Sequence, residues 1–105
     1  MSVSDATLEI VRAARTIAIV GLSPDVARPS HGVGTYLQAQ GYRILPVTPR
    51  GGTILGQPAF PDLAAAAAAI APDPIDVVDV FRRPEYVAAL LPDLLAVRPR
   101  LVWFQ

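Results

Sequence analysis

Residues 16–34, TIAIVGLSPDVARPSHGVG, decide the fold. Thr16 to Val20 is a β-branched, almost wholly apolar run, the pattern of a strand buried on both faces of a parallel sheet. Gly21 ends it, and a polar loop carrying Ser23, Arg28, Ser30 and His31 follows. Gly32 and Gly34 lead into an apolar-periodic segment with Val33, Tyr36 and Leu37, predicting a helix over about 32–40 with Gly41 as its C′ residue. Strand, glycine turn and helix N-terminus together make the layout in which α/β folds hold a phosphate. The free N–H groups and the dipole of the first helical turn favour an anion there.

Outward from this stretch, the same alternation continues. YRILPV, residues 42–47, reads as a second strand, set parallel to the first by a right-handed crossover. A turn at Thr48–Gly52 precedes residues 53–60, which predict a short edge strand or hairpin. Residues 62–71 predict a helix with Asp62 at its N-cap and Pro72 past its end. Asp76–Phe81 is the next strand, and its interior Asp79 needs a partner if buried. Pro84 opens a helix through residues 85–97 that Pro92 kinks or splits, and LVWF at 101–104 is a final strand. At the other end, residues 4–15 form an amphipathic pattern with Ser4 as N-cap, so residues 1–15 are expected to add a helix packed on the domain. The whole, residues 1–105, is expected to be one α/β domain: a Rossmann-like, three-layer, open and mostly parallel sheet with helices on both faces.

Composition narrows the partners. Net charge is zero and the isoelectric point lies near 6.5, which argues against nucleic acid or an anionic membrane surface. The longest apolar run, near Leu63–Ala71, is too short to span a bilayer, and no basic-then-apolar leader pattern opens the chain. The absence of cysteine excludes disulfides and thiolate metal sites and fits a cytoplasmic protein. All nine basic residues are arginine. An alanine-rich composition accounts for the set as a whole, but the planar guanidinium also suits bidentate phosphate contacts. Position singles out Arg28, Arg50 and Arg82.

In open α/β sheets, ligands bind beyond the carboxyl ends of the strands, where strand order reverses. The loops that would meet there are 21–32, 47–51 and 81–83. The first is neither G-x-G-x-x-G nor a Walker A loop. The tip of the second strand, Pro46-Val47-Thr48-Pro49-Arg50, has no acid to hold ribose hydroxyls and one arginine. That suits a phosphate-bearing ribose, as in NADP or coenzyme A, better than NAD. Catalytic residues are not in evidence: His31 is the lone histidine, and Ser23 or Ser30 beside it on one loop does not make a triad. Asp76 and Asp79 fall on opposite faces of a strand, so they form no carboxylate pair or metal clamp.

The string VGLSPDVARPSHGVGTYLQAQGYRILPVTPRGGTILGQPAFPDL, with IDVVDVFRRPE and LVWFQ, resembles the small bacterial and archaeal CoA-binding domain proteins. These are stand-alone relatives of the Rossmann-like CoA-binding domain of succinyl-CoA synthetase. The resemblance runs from about Thr16 to the end of the chain and implies coenzyme A, a small-molecule nucleotide ligand, in the switch-point crevice. Gly21, Leu22 and Ser23 with Arg28, Pro29 and Ser30 match the family's first binding loop. Pro46-Val47-Thr48-Pro49 matches its second, and Val80-Phe81-Arg82 its third. It implies that the first loop and the helix N-terminus, at Gly32, face the pyrophosphate. Arg28 or Arg50 would reach the ribose phosphate, while Val47, Pro49 and Phe81 would flank the adenine or pantetheine.

Two departures stand out. Thr48 replaces the family's usual asparagine, and the chain stops at Gln105, where relatives continue with a helix and a last strand. The expected consequence is an open sheet edge through which a homodimer could form. The resemblance implies a ligand and no reaction, so a non-catalytic carrier, sensor or regulatory role is expected. The alternatives are an NADP-type dinucleotide-binding protein, which would prefer NADPH, and an interaction module with a vestigial nucleotide pocket, whose mass would depend on concentration.

Overall fold

A computed structural model describes residues 4–105 of the chain. Residues 1–3 of the expected N-terminal helical segment lie outside the described residues. The element order is α1 (Asp5–Ala13), β1 (Thr16–Val20), α2 (Pro29–Ala39), β2 (Arg43–Val47), β3 (Thr53–Ile54), β4 (Gln57–Pro58), α3 (Leu63–Ile70), β5 (Val77–Val80), α4 (Pro84–Val87), a 3-10 turn (Ala88–Leu90), α5 (Leu91–Val97) and β6 (Leu101–Phe104).

The main sheet has the order β2-β1-β5-β6, and all three of its pairings are parallel. From β1 the chain steps outward to β2, then returns past β1 to place β5 on its other side. Strand order therefore reverses between β1 and β5. β1 is the centre of the molecule, with every residue buried, as its unbroken apolar run requires. Alternation along the strands divides the core into two layers. Ala18, Val20, Leu45, Val47, Val78 and Val80 meet Leu63, Ala66 and Ile70 of α3, with Leu94 and Val97 of α5 alongside. Ile17, Ile19, Ile44 and Val77 meet Leu22, Ile54 and Leu37 on the opposite face. This is the three-layer, Rossmann-like α/β arrangement that the sequence predicts.

The helix ends follow local chemistry. The Ser4 hydroxyl accepts the Thr7 N–H at 3.1 Å, and Asp62 Oδ1 accepts the Ala65 N–H at 2.8 Å. α2 starts at Pro29, not at Gly32 as the glycine pair suggests. Proline lacks the N–H that a first helical position would leave unpaired, and its fixed φ suits that place. Pro92 is the second residue of α5, where its missing N–H is likewise tolerated, and the predicted long helix is split into α4, the 3-10 turn and α5. Residues 53–60 form the hairpin β3–β4, turned by Leu55 and Gly56, both at positive φ, as a two-residue hairpin turn demands. The hairpin rests on α2, where Gly34 is buried and a Cβ would stand 2.8 Å from Leu55 Cδ1. α1 buries none of its own residues. It is tied down by the Tyr42 hydroxyl, which donates to the Val11 carbonyl at 3.0 Å.

Asp76 joins the amino ends of three strands. Its Oδ2 accepts the N–H of Arg15 at 2.9 Å and of Thr16 at 3.1 Å. Its own N–H donates to the Thr16 carbonyl at 3.0 Å, and its carbonyl accepts the Arg100 N–H at 2.9 Å. Removing the carboxylate strands two backbone donors beside a buried Thr16. Asp76→Ala is therefore expected to cost about 1–3 kcal/mol in urea denaturation, and Asp76→Asn, which keeps an acceptor oxygen, to recover most of it.

Candidate functional site

The carboxyl ends of β1 and β5 meet at one tight place. The Gly21 N–H donates to the Val47 carbonyl and the Phe81 N–H to the Val20 carbonyl, each at 2.8 Å. Gly21 has φ +86°, and a Cβ on it would overlap the Phe81 carbonyl oxygen. Only glycine serves here, on both counts. The chain then leaves β1 through a loop folded by its own short side chains. The Asp25 N–H donates to Ser23 Oγ at 3.0 Å, the Ala27 N–H to Asp25 Oδ1 at 2.9 Å, and the Arg28 N–H to the Asp25 carbonyl at 3.0 Å. Such local bonds are what Ser and Asp contribute in turns. Ser30, the second residue of α2, is buried, and its hydroxyl accepts the Ser23 N–H at 3.0 Å. It clips the loop back onto the helix start.

A cleft of about 390 Å³ opens here, between the loops that follow β1, β2 and β5. Of the residues that the sequence singles out, Gly21, Leu22, Ser23, Arg28, Pro29, Ser30, Thr48, Phe81 and Arg82 line it, and so does Arg50. Val47, Pro49 and Gly32 do not. Val47 is turned into the core layer against α3, Pro49 is exposed, and Gly32 lies a turn inside α2, whose first residue is Pro29. Thr48 is buried, with its hydroxyl accepting the Arg50 N–H at 3.4 Å.

The charge at the cleft is one-sided. Arg28, Arg50 and Arg82 line it and no acidic residue does. Among the described residues the one salt bridge is elsewhere, between Arg43 and Asp73 at 4.0 Å. α2 begins beside the cleft without a side-chain cap, so the positive end of its dipole lies there. In its first turn Pro29 has no N–H and the His31 N–H donates to the Arg28 carbonyl at 3.1 Å. His31 has its ring nitrogen 3.4 Å from the Thr35 hydroxyl, while Ser30 is engaged with Ser23. Among the described residues these do not assemble a nucleophile–base pair. A larger concavity, about 810 Å³, lies at the amino ends of β1 and β2. It sits at the carboxyl ends of α1 and α2 and is lined by Arg12, Arg15 and Arg43 as well as Asp73 and Asp76, so its charge is mixed while the helix dipoles oppose an anion there. The smaller cleft is the candidate site, by its place beyond the carboxyl ends of the strands and its lining of one charge sign.

Residues 15–105 match the CoA binding domain family. The chain belongs to that family. Among relatives, the "Uncharacterized protein YneT" of Bacillus subtilis is 36% identical over 97 residues, covering 92% of this chain and 68% of its own. The "cell-free ID.343" structure from Thermus thermophilus superposes with a TM-score of 0.83 at 41% identity, over 96% of this chain and 74% of that one. A "hypothetical protein from Pyrococcus horikoshii OT3" gives a TM-score of 0.84 at 32% identity, over 99% and 70%. The CoA-binding family's fold is thus the fold observed, and none of the described helices is long and apolar enough to cross a membrane.

In this CoA-binding domain the interior acid of β5 has found a partner. Asp79 is 5% exposed, and Gln105 Nε2 donates to its Oδ1 at 2.9 Å. Burial raises the Asp79 pKa above the ordinary carboxylate value, and the Gln105 bond offsets part of that rise. A raised folded-state value means that the proton binds more readily in the folded chain than in the unfolded one. The ionised carboxylate therefore counts against the fold at neutral pH, and this cost disappears as pH falls through the folded value to the unfolded one. Asp79→Asn removes the titration and keeps an acceptor. Its Tm is expected to exceed the wild type's near neutral pH, with the difference shrinking in acid, as read by paired thermal melts across pH.

Proposed function

We propose that the carboxyl-end cleft binds coenzyme A or an acyl-CoA and that the protein acts by binding rather than by catalysis. The observation that carries this reading is the set of three arginines around a cleft with no acidic lining residue, next to an uncapped helix N-terminus. A ligand with a pyrophosphate and a separate ribose phosphate matches that charge pattern, and membership of the CoA binding domain family supports the same ligand. In this reading the pyrophosphate lies beside the Gly21–Ser23 turn at the amino end of α2, drawn by the helix dipole and the neighbouring arginines. Arg28 and Arg50, on loops from neighbouring strands, take the ribose phosphate through paired N–H donors. Phe81 offers a flat apolar surface to the adenine or the pantetheine arm. Thr48, with its hydroxyl turned to the Arg50 N–H, holds the second loop instead of reaching for the ligand. With no nucleophile–base pair assembled among the described residues, the reading stops at a carrier, sensor or regulatory role.

Calorimetric titration with CoA, dephospho-CoA, NADPH and NADH tests it. CoA is expected to bind most tightly, with dephospho-CoA weaker because a phosphate has lost its arginine. Preference for NADPH would replace this reading with a dinucleotide one. Arg28→Ala is expected to weaken CoA binding by about 1–3 kcal/mol, and wild-type affinity in the folded variant would remove Arg28 from the site.

A second reading concerns assembly. β6 pairs with β5 alone, and Phe104 on it is 52% exposed. An apolar edge of this kind supports self-pairing of two copies. Sedimentation velocity should then show mass rising with concentration in the wild type and staying monomeric in Phe104→Lys.

A further inference from the structure

The third loop of the cleft leaves from β5, and the end of that strand is held in a particular way. Asp79 stands two residues before Phe81 on an interior strand whose other positions, Val77, Val78 and Val80, are all valine. A fourth apolar residue would serve the packing; a carboxylate there has to be desolvated. Its register neighbours are Ile19 on β1 and Trp103 on β6, neither of them ionisable. The ionisable side chains of α2, the helix on this face, are His31 and Tyr36; Tyr36 is exposed, and the ring contact of His31 is with Thr35.

What meets Asp79 is Gln105. The Gln105 side chain donates to Asp79 Oδ1 at 2.9 Å, and its backbone N–H donates to the Val80 carbonyl at 3.0 Å. One residue thus grips two consecutive residues of β5. The second carboxylate oxygen reaches solvent, since no buried side-chain oxygen among the described residues lacks a partner. Immediately beyond the grip, the Phe81 N–H bonds to Val20 and the Phe81 carbonyl lies against Gly21 with no room for a Cβ. A shift at the end of β5 is therefore transmitted to the Gly21 turn and to Arg82, both of which line the cleft.

We propose that Asp79 and Gln105 form a positioning clamp for the ligand site, setting Phe81 and Arg82 against the Gly21 turn. Neither residue lines the cleft; they act through the residues that do. The affinity readout rests on the CoA reading above, so the test carries a second readout that does not.

The test measures amide hydrogen exchange at Phe81 in the ligand-free chain, and CoA titration, for Gln105→Ala, Asp79→Leu, Asp79→Asn and the Asp79→Leu/Gln105→Ala pair. Gln105→Ala and Asp79→Leu are expected to quicken Phe81 exchange and to weaken CoA binding roughly three- to tenfold, the scale of one lost hydrogen bond. Asp79→Asn keeps an acceptor for Gln105 and is expected to restore both. The double variant should be no worse than the single ones, because each removes the same interaction. Wild-type CoA affinity in folded Gln105→Ala overturns the clamp, whatever its exchange, and so does a loss in the double variant equal to the sum of the single ones. Should Asp79→Leu fail to fold, Gln105→Ala decides. If the wild type binds no CoA, the ligand reading has failed instead. Unchanged Phe81 exchange in Gln105→Ala then overturns the clamp independently.

Discussion

The structure turns on the close approach of two backbones, Gly21 at the end of β1 and Phe81 at the end of β5. Strand order reverses between these two strands, and a reversal forces the loops above to diverge. The crevice is what their divergence leaves. Any side chain at position 21 would push the strands apart at the place where the sheet must stay paired. The absence of a Cβ is thus a packing condition of the sheet at the place where the crevice opens. The rest of the molecule holds this crossing in place: α3 and α5 from one face, α2 and the β3–β4 hairpin from the other, and Asp76 at the far end of the same strands.

Charge is added to that frame cheaply. Arg28 and Arg50 lie on exposed loop positions and Arg82 is half-buried, so their guanidinium groups stay hydrated and need no protein counter-ion. Three cations facing one concavity nevertheless repel one another, and an anionic ligand relieves that repulsion. The loop that presents Arg28 needs no tertiary scaffolding of its own, because Ser23 and Asp25 fold it locally and Ser30 anchors it to α2. The hydroxyls of Ser23 and Ser30, which both line the cleft, also accept the backbone N–H groups that shape the loop. Asp79 is the opposite case, an acid inside the sheet whose desolvation is only partly offset. Its presence makes sense as a constraint on where β5 ends.

Much of this was readable along the chain. A β-branched apolar run, a glycine and a following amphipathic segment specify a parallel strand and a crossover helix through local periodicity alone. Asp62, Pro72, Pro84 and Pro92 mark helix boundaries because capping and the missing proline N–H act within a turn. α2 starts three residues before Gly32, the start that the apolar periodicity gives, because Pro29 suits a first helical position. Gly34, inside that helix, is a contact surface for Leu55, a reason that lies outside its own segment. The Asp76 bonds to Arg15 and Thr16 span about sixty residues, and no local pattern announces them.

By itself, then, the sequence determined the element types, their order and the family, because each depends on side-chain periodicity, caps and short motifs that act between near neighbours. It also placed three loops at one end of a sheet, since parallel strands joined by helices leave alternate connections at the same end. Only the tertiary structure decided which residues of those loops meet. It turned Val47 inward and left Pro49 and Gly32 outside the cleft, brought Arg50 in beside Arg28 and Arg82, and gave Asp79 its partner in Gln105. Those outcomes depend on strand register and on contacts between segments far apart in the chain. Register is set by the packing of the whole sheet and is not written in any single stretch of it.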